Sequence, residues 1–433
     1  MRRGSLLSPI VKATLFLAYF ISFAAVNFED SSWGFQVSWL VAGAFCLGSL
    51  PRLALNMHRW RHFRDKRFCW GLRALLVIFG ITALAWALAF AGVTELPSDG
   101  ESMTRRSLGH VGYLLFYATV FVCLYGFLRE RPAEYWTFFR WGTFYPFLFI
   151  SVWGIYQFLS TFDWIEYATL FNNSLSTGFT YERFKDDHRV SSIFPEPSEY
   201  SYYLALMTPL VWAAVRRKLP SEASGGRWLL LALLITQVLT VRSLSFVVAL
   251  PVIAYVITRH VEGIRGPVVL VWLAIAMTAL LLGVGIGLAP RLGEVASGGD
   301  GSAIERYLGL VEALDLWLRS PVVGFGYGIV RGLDALSFLL ASLGLLGSLL
   351  LVLALSRYLA AVTQQASPIL SGALLSMAAG FVTSNNVFSH IFFWTVLALF
   401  AACPYVQRPV QPMRVRRLAA GRDPRSGLQV APQ

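Results

Sequence analysis

Long apolar segments recur along this chain, and they restrict its fold more than any other feature. Runs of about 17–25 mostly apolar residues follow one another, and each is long enough to cross a bilayer as a helix. Charged residues make up only 14% of the sequence, whereas a soluble domain carries roughly 25%. The pattern therefore predicts an all-α, polytopic membrane protein whose helices take up nearly all of its length.

We expect about twelve spans in a helix bundle, with both termini on the same side of the membrane. Residues 1–405 then form one integral membrane domain, and residues 406–433 form a basic tail that we expect to be disordered. The stretch 228–258 is interpreted as a hairpin of two short helices, because a single crossing would reverse the charge pattern downstream. The predicted spans are 10–27, 33–50, 71–93, 108–128, 137–159, 198–215, 228–241, 244–258, 267–288, 333–356, 368–384 and 387–403.

Positive charges sort to one side of this arrangement. The side assigned to the cytoplasm holds 26 of the 36 lysines and arginines but only 6 of the 24 acids, as cytoplasmic loops do. The net charge of +12 is therefore explained by anchoring at the inner leaflet, and we expect no nucleic-acid partner. The four cysteines form no CxxC pair, so we expect neither a metal site nor a disulfide framework.

Ten lysines and arginines lie on the opposite, periplasmic side, and three arginines among them are notable because they lie close to the apolar boundary on a side where arginine is normally rare. They are Arg189, Arg242 and Arg306, and Arg242 is at the outer tip of the predicted hairpin. Arginine close to the apolar boundary is costly without a partner, and an anionic ligand is the simplest partner on this face. We therefore expect the three arginines to line one outward cavity.

Two periplasmic loops are long, at 160–197 and 289–332, and long loops in a compact bundle are usually functional. Ser302 and Glu305 predict a capping box at the start of a helix in the second loop, and Ser320-Pro321 predicts its end. Apolar residues recur at helical spacing between these limits, so we expect this helix to lie on the membrane surface or on the bundle. They are Ile304, Tyr307, Leu308, Val311, Leu314 and Leu318.

The stretch 189–201 opens the sixth predicted span. Pro195 and Pro197 prevent an earlier helix start, so the span is expected to begin near Ser198. Its outward N-terminus offers unpaired N–H groups and a positive dipole end, which together favour a phosphate, and Arg189 can fork onto the same anion. The stretch predicts an anion site at the periplasmic face.

Two carboxylates in this stretch are candidates for the catalytic base, since a carboxylate here can accept a proton from an attacking hydroxyl. We favour Glu196, which is held in a Pro-Glu-Pro turn, over Glu199. The plainer alternatives are that Glu199 only stabilises the first helical turn and that Glu196 pairs with Arg189. Nearby aromatic residues can stack on sugars, although an interfacial aromatic belt explains most of them: Tyr181, Phe184, Phe194, Tyr200 and Tyr202.

Taken together, these features resemble the superfamily of O-antigen polymerases and O-antigen ligases, over most of residues 130–400. The stretch 189–201 resembles the superfamily's motif, and two further groups of residues agree in order and spacing. These are Arg242-Ser243 with Ser245 at the outer hairpin, and residues 302–306 followed by residues 319–328 and a span with Gly344 and Gly347.

The resemblance implies a GT-C-like inverting glycosyltransferase that takes its glycan from undecaprenyl pyrophosphate at the periplasmic face of the bacterial inner membrane. It implies that Arg189, Arg242 and Arg306 bind the donor pyrophosphate, without a metal or cofactor. The implied partners are the lipid-linked donor, membrane lipids, a chain-length regulator, and an acceptor that is either another lipid-linked glycan or the lipid A core. Ligases share a histidine where this chain has Asp334-Ala-Leu-Ser337, so polymerase is the first interpretation and ligase the second.

Two other interpretations fit the sequence less well. A transporter or flippase of an anionic lipid-linked glycan would also need arginines, but it would show paired broken helices near the midplane, and the sequence has no such pair. The glycine-rich run 324–328 is not preceded by a strand, so it is not a nucleotide-binding loop. We expect its glycines to form a tight turn that returns the chain to the membrane.

Overall fold

The computed structural model describes a helical bundle. The described residues are 7–20, 24–27, 34–55, 65–94, 100–166, 190–194, 200, 203–204, 206–207, 210–211, 214, 301–328, 335–363 and 391–404. The helices are α1 (Leu7–Leu17), α2 (Val37–Leu55), α3 (Lys66–Phe90), α4 (Gly100–Arg129), α5 (Tyr135–Trp141), α6 (Phe144–Ser160), α7 (Gly301–Arg319), α8 (Ala335–Thr363) and α9 (Ile391–Ala402). One short antiparallel pair of strands, β1 (Ala24–Asn27) and β2 (Gly34–Gln36), accompanies them in this part of the chain.

Within the described residues, three helices are long and apolar enough to cross a membrane. They are Lys66–Phe90, Leu108–Arg129 and Leu336–Val362, and shorter apolar helices accompany them at Leu7–Leu17, Val37–Pro51 and Ile391–Ala402. Leucines on the outer faces of the long helices, such as Leu76, Leu115 and Leu349, are more than half exposed. An apolar outer surface is what lipid requires, and these helices agree with the predicted helical membrane protein.

Helix α9 lies at the centre of the bundle, because all of its residues are buried. It packs mainly against α4, while α3 packs along α8 and α1 along α2. Trp394 on α9 is among the largest fully buried side chains. Buried tyrosines close the gaps between these helices by donating to backbone carbonyls: Tyr135 to Leu399 at 2.7 Å and Tyr358 to Leu397 at 2.7 Å.

The first predicted span differs from the structure. The sequence predicted a helix over 10–27, but α1 ends at Leu17, and residues 24–27 form β1, which pairs with β2. The strands have the β-branched and aromatic residues Val26 and Phe35 in register. A hairpin therefore replaces the last turns of the predicted helix and the first residues of the second span.

The fifth predicted span, 137–159, is divided into α5 and α6 at Gly142 and Thr143. The backbone at Thr143 is non-helical, with φ −136° and ψ −66°. The hydroxyl of Tyr19 donates to the carbonyl of Gly142 at 2.6 Å, which satisfies an acceptor left free by the break. Tertiary contact with Tyr19, two residues after α1, thus stabilises a break that the apolar pattern does not indicate.

Other predicted spans overlap their helices where the structure describes them, although α4 begins at Gly100, eight residues before the predicted span 108–128. Helix α3 begins at Lys66, before the predicted residue 71, because Asp65 caps it. Helix α8 begins at Ala335, covers the rest of the predicted span 333–356 and continues to Thr363. The predicted spans 228–241, 244–258, 267–288 and 368–384, most of 198–215, and the tail 406–433 lie outside the described residues.

Candidate functional site

The segment 190–194, which follows Arg189 directly, is buried and fixed to α6. Gln157 of α6 is buried, and its Oε1 accepts hydrogen bonds from the backbone N–H groups of Ser191 at 3.0 Å and Ser192 at 2.6 Å. The Ser192 hydroxyl donates to the carbonyl of Ile150 at 2.7 Å. Three hydrogen bonds therefore hold in place the segment that directly follows Arg189.

Aromatic rings pack around the same segment. Phe194 stacks on Tyr200 with centroids 6.0 Å apart, and it lies 5.0 Å from the ring of Tyr203, which meets Tyr19 edge-on at 5.2 Å. Tyr19 also stacks on Phe392 of α9. The segment thus packs on α6, and Tyr203 and Tyr19 connect it to Phe392 of the buried helix α9.

Burial corrects the interpretation of two aromatic residues. Phe194 is 4% exposed and Tyr200 is 0% exposed, so neither lies in an interfacial belt or faces a sugar. Their packing explains why the sequence after Arg189 is apolar and aromatic: it is core. Tyr181, Phe184 and Tyr202 lie outside the described residues.

The glycine-rich loop after α7 packs against a break in α8. Gly344 interrupts α8 with φ 62°, a conformation that favours glycine. The backbone N–H groups of Phe325 and Gly326 donate to the carbonyls of Ala341 and Ser342 at 3.0 and 2.8 Å. On the other side of the break, the N–H groups of Leu345 and Leu346 donate to the carbonyls of Pro321 and Val322. The loop therefore supplies the hydrogen bonds that the helix loses at Gly344.

Three glycines let this loop approach the helices closely. Gly324, Gly326 and Gly328 have φ of 71°, 99° and 85°, which confirms the predicted tight turn. A Cβ on Gly324 would lie 2.6 Å from the backbone nitrogen of Gly344, and one on Gly328 would lie 2.5 Å from the Cβ of His110. Neither position has room for a side chain.

Tyr327 connects the loop to α3 and α4. Its backbone N–H donates to Thr82 Oγ1 at 3.1 Å, and its ring meets His110 of α4 edge-on at 6.2 Å. The indole nitrogen of Trp86 and the hydroxyl of Ser342 are buried here, and neither has a hydrogen-bond partner among the described residues. This cluster is at the end of α3 and α4 that the charge pattern assigns to the periplasm.

Helix α7 places residue 306 on a defined face. Ala313 and Leu316 are buried where α7 packs on α8. Arg306 precedes Ala313 by close to two helical turns, so the two positions share a face of the helix. The predicted helix is confirmed with nearly its predicted bounds, but it begins at Gly301, so Ser302 lies within the first turn and is not the N-cap residue.

A charged cluster fixes the opposite end of α3. Asp65 caps the helix by accepting from the backbone N–H of Arg67 at 3.0 Å, and the Arg67 guanidinium binds both oxygens of the same carboxylate. Arg67, which is fully buried, also donates to the carbonyl of Cys403 at 2.7 Å. Tyr125 donates to Asp65 at 3.2 Å, and Arg129 lies 3.9 Å from it. The cluster therefore joins the start of α3, the end of α4 and the end of α9.

The electrostatics of Asp65 reflect two opposing causes. Burial raises the pKa of this carboxyl, but the hydrogen bonds and charge of Arg67, with a contribution from Arg129, outweigh burial and hold the pKa below its ordinary value. In the sequence, Arg67 belongs to a basic run with Arg59, Arg61, Arg64 and Lys66. An acid within that run, directly before an apolar segment, is the signal that indicates a cap.

Of the residues predicted for the site, Arg189, Arg242, Glu196 and Glu199 lie outside the described residues. Arg306 lies within α7, and only its position on the helix is described. The convergence of the arginines, and the choice between the two glutamates, therefore stay predictions. Gln157, Trp86 and His110 were not singled out in the sequence, although a polar side chain in an apolar span is a usable signal.

Comparisons of the chain with protein-family models, with curated proteins and with solved structures found no match. Within the described residues, no group of three or more histidine, cysteine, aspartate or glutamate side chains is placed to hold a metal ion.

Proposed function

We propose that this protein is a membrane-embedded glycosyltransferase that polymerises oligosaccharide repeat units carried on undecaprenyl pyrophosphate. It acts at the periplasmic face of the bacterial inner membrane, with about twelve GT-C-like spans and both termini in the cytoplasm. The donor pyrophosphate is bound by Arg189, Arg242 and Arg306. Transfer of the glycan to the lipid A core, as a ligase, is the alternative acceptor reaction.

One observation carries the proposal furthest: the fixed, buried segment next to Arg189. Gln157 binds the backbone of Ser191 and Ser192, and all three residues are buried. Such an anchor suits a residue that must meet a charged ligand in a fixed geometry. A charge that is already held in place needs little reorganisation free energy when the reaction occurs. The position of Arg306 on the face of α7 that packs on α8 also supports a role inside the protein.

In the proposed reaction, a hydroxyl oxygen of the acceptor attacks the anomeric carbon of the donor glycan. The bond from that carbon to the pyrophosphate oxygen breaks, and the pyrophosphate leaves with the electron pair. The hydroxyl proton passes to Glu196, or to Glu199 if Glu196 only pairs with Arg189. The arginines stabilise the negative charge that develops on the leaving group, and direct displacement inverts the anomeric centre.

Arginine substitutions in cells test this proposal. Arg189→Ala, Arg242→Ala and Arg306→Ala remove contacts to charged phosphate worth roughly 1.5–3 kcal/mol, so each lowers transfer by at least about tenfold. Arginine-to-lysine variants restore only part of the activity, since lysine lacks the planar two-point contact. The readout is the chain-length distribution of the surface polysaccharide.

The matched control is Arg319→Ala on the same helix as Arg306. Arg319 is exposed and pairs with Asp315, so its removal leaves polymerisation unchanged. Full activity in the three test variants, at wild-type levels of membrane insertion, would refute the assignment of the arginines.

A further inference from the structure

Helix α7 has two apolar faces, and only one of them meets the protein. Ala313 and Leu316 form a small buried cluster with Phe325 of the glycine-rich loop and Ala341 of α8. The other face is the exposed stripe, defined as Ile304, Tyr307, Leu308, Val311, Leu314 and Leu318. Tyr307 and Leu318 are 65% and 68% exposed, which is high for large apolar side chains.

The exposed stripe points away from the bundle. Leu318 follows Ala313 by five residues, which turns it about 140° round the helix axis from the buried face. Leu308 precedes Ala313 by the same number and is turned about 140° in the other sense. The stripe is therefore centred on the side of α7 opposite its contact with α8.

The stripe is continuous with the outer surface of α8, a helix long and apolar enough to cross a membrane. The N–H of Leu345 donates to the carbonyl of Pro321 at 2.8 Å, and that of Leu346 to Val322 at 3.0 Å, so the end of α7 is joined to this surface. Val322 is 59% exposed, and the outward leucines Leu345 and Leu349 are 49% and 59% exposed. Lipid that covers the outer leucines of α8 also reaches α7.

Two charged residues border the exposed stripe: Arg319 and Glu312 lie beyond Leu308 round the helix axis. Asp315 lies within the arc of the stripe, between Ile304 and Leu308, and its charge is paired with that of exposed Arg319 at 2.5 Å. Trp317 is near the helix end and donates its indole N–H to the carbonyl of Pro321 at 3.1 Å. Apolar residues on one side with charges along the edge are typical of a helix in the plane of a bilayer interface.

We propose that the exposed stripe of α7 is a membrane-contact surface, whose side chains enter the boundary between lipid head groups and acyl chains beside α8. Lipid contact fixes the height of α7 relative to the bilayer, and with it the height of the opposite face, which Arg306 and Ala313 share. The consequence for Arg306 rests on the proposed function, whereas the lipid contact itself does not.

Spin labels on the full-length protein in phospholipid vesicles test the lipid contact. A ketone-bearing amino acid at Val311, Leu314 or Leu318 accepts a spin label while the native cysteines stay in place, and Glu312 is the matched control. Accessibility to molecular oxygen, which concentrates in lipid, is compared with accessibility to a water-soluble nickel chelate. We expect the ratio of oxygen to nickel accessibility to be roughly fivefold or more higher at the three stripe positions than at Glu312.

Two outcomes would overturn the proposal. Nickel accessibility at the stripe equal to that at Glu312 would place the stripe in water. Low accessibility to both reagents at the stripe would mean that protein covers it, such as a second copy of this chain. Neither readout needs glycan transfer, so a failure here is distinct from a failure of the proposed function.

Discussion

At its first turn, α3 is held by charges, whereas about 22 Å along the same helix Thr82 meets the backbone of a glycine-rich loop. Asp65, Arg67, Tyr125 and the carbonyl of Cys403 satisfy one another in a closed network. The far end instead depends on close backbone approach and contains buried polar atoms without partners among the described residues. The charged end joins helices through ion pairs and hydrogen bonds. The glycine-rich end fixes the backbone of the loop against α3 and α8 near the predicted periplasmic face.

A side chain at Gly344 should have the largest effect on this comparison. Any Cβ there meets the backbone of Val322 and Val323, and φ is 62°. For a β-branched residue, backbone strain costs about 1–3 kcal/mol and overpacking costs a further ~1–3 kcal/mol. Gly344→Val should therefore lower the free energy of unfolding by about 5 kcal/mol. The yield of monodisperse protein and its thermal unfolding in detergent measure the loss.

Gly80→Val on α3 is the control, because a Cβ at Gly80 meets nothing within 4 Å. We expect it to change stability by less than about 0.5 kcal/mol. Equal stability of the Gly344→Val and Gly80→Val proteins would show that the break in α8 is not as tightly packed as described.

At the charged end, Arg67→Ala should cost about 3–5 kcal/mol, since it leaves the buried carboxylate of Asp65 without its main partner. Replacing both partners, as Asp65→Asn with Arg67→Met, should cost less than the single change, because no charge is left uncompensated. Thermal unfolding of the two proteins in detergent measures the difference. A double variant less stable than Arg67→Ala would contradict this account of the cluster.

The charged end should also respond to acid. The folded pKa of Asp65 lies below that of an unfolded chain, near 3.9, so the stability from this group is present above that pH and is lost as the pH falls towards the folded pKa. Wild type should therefore lose more stability than Asp65→Asn between about pH 5 and pH 3. Parallel pH profiles of melting temperature for the two proteins would argue against a lowered pKa.

The smallest expected difference separates two hydroxyls at the glycine-rich end. Thr82 Oγ1 accepts from Tyr327 and donates to the carbonyl of Ile78, so Thr82→Val should cost about 1–3 kcal/mol by leaving a buried N–H unpaired. Ser342→Ala removes a hydroxyl with no partner among the described residues and should change stability by less than about 0.5 kcal/mol. A large loss on Ser342→Ala would reveal a partner for this hydroxyl.

Apolar length and periodicity predicted α3, α4, α8, α9 and α7, because these helices depend on residues close in sequence. The breaks at Thr143 and Gly344 were not predicted, since each is stabilised by a distant segment: Tyr19 in the first case and residues 321–326 in the second. Even so, the glycines of the loop indicated a turn correctly, because a positive φ is a local requirement.

Prediction of the candidate site was limited by the same distinction. Arg189 stands out in the sequence because its charge lies on the side of the membrane where arginine is rare. Gln157 fixes the segment that follows Arg189, but it precedes that segment by more than 30 residues. Pairing the two needs the packing of α6 against the segment 190–194. Burial of Phe194 and Tyr200 is likewise set by packing on α6, where Gly154 lies against the Tyr200 ring, so spacing alone led to a surface interpretation.

Reconstitution tests the central claim most directly. The purified protein is placed in vesicles with undecaprenyl-pyrophosphate-linked repeat units, and the lipid-linked products are separated by glycan length. The account predicts longer lipid-linked glycans together with one undecaprenyl pyrophosphate released for each bond formed, and loss of both with Arg189→Ala. Movement of the glycan lipid across the bilayer with no change in glycan length and no released carrier would contradict the account and indicate a transporter.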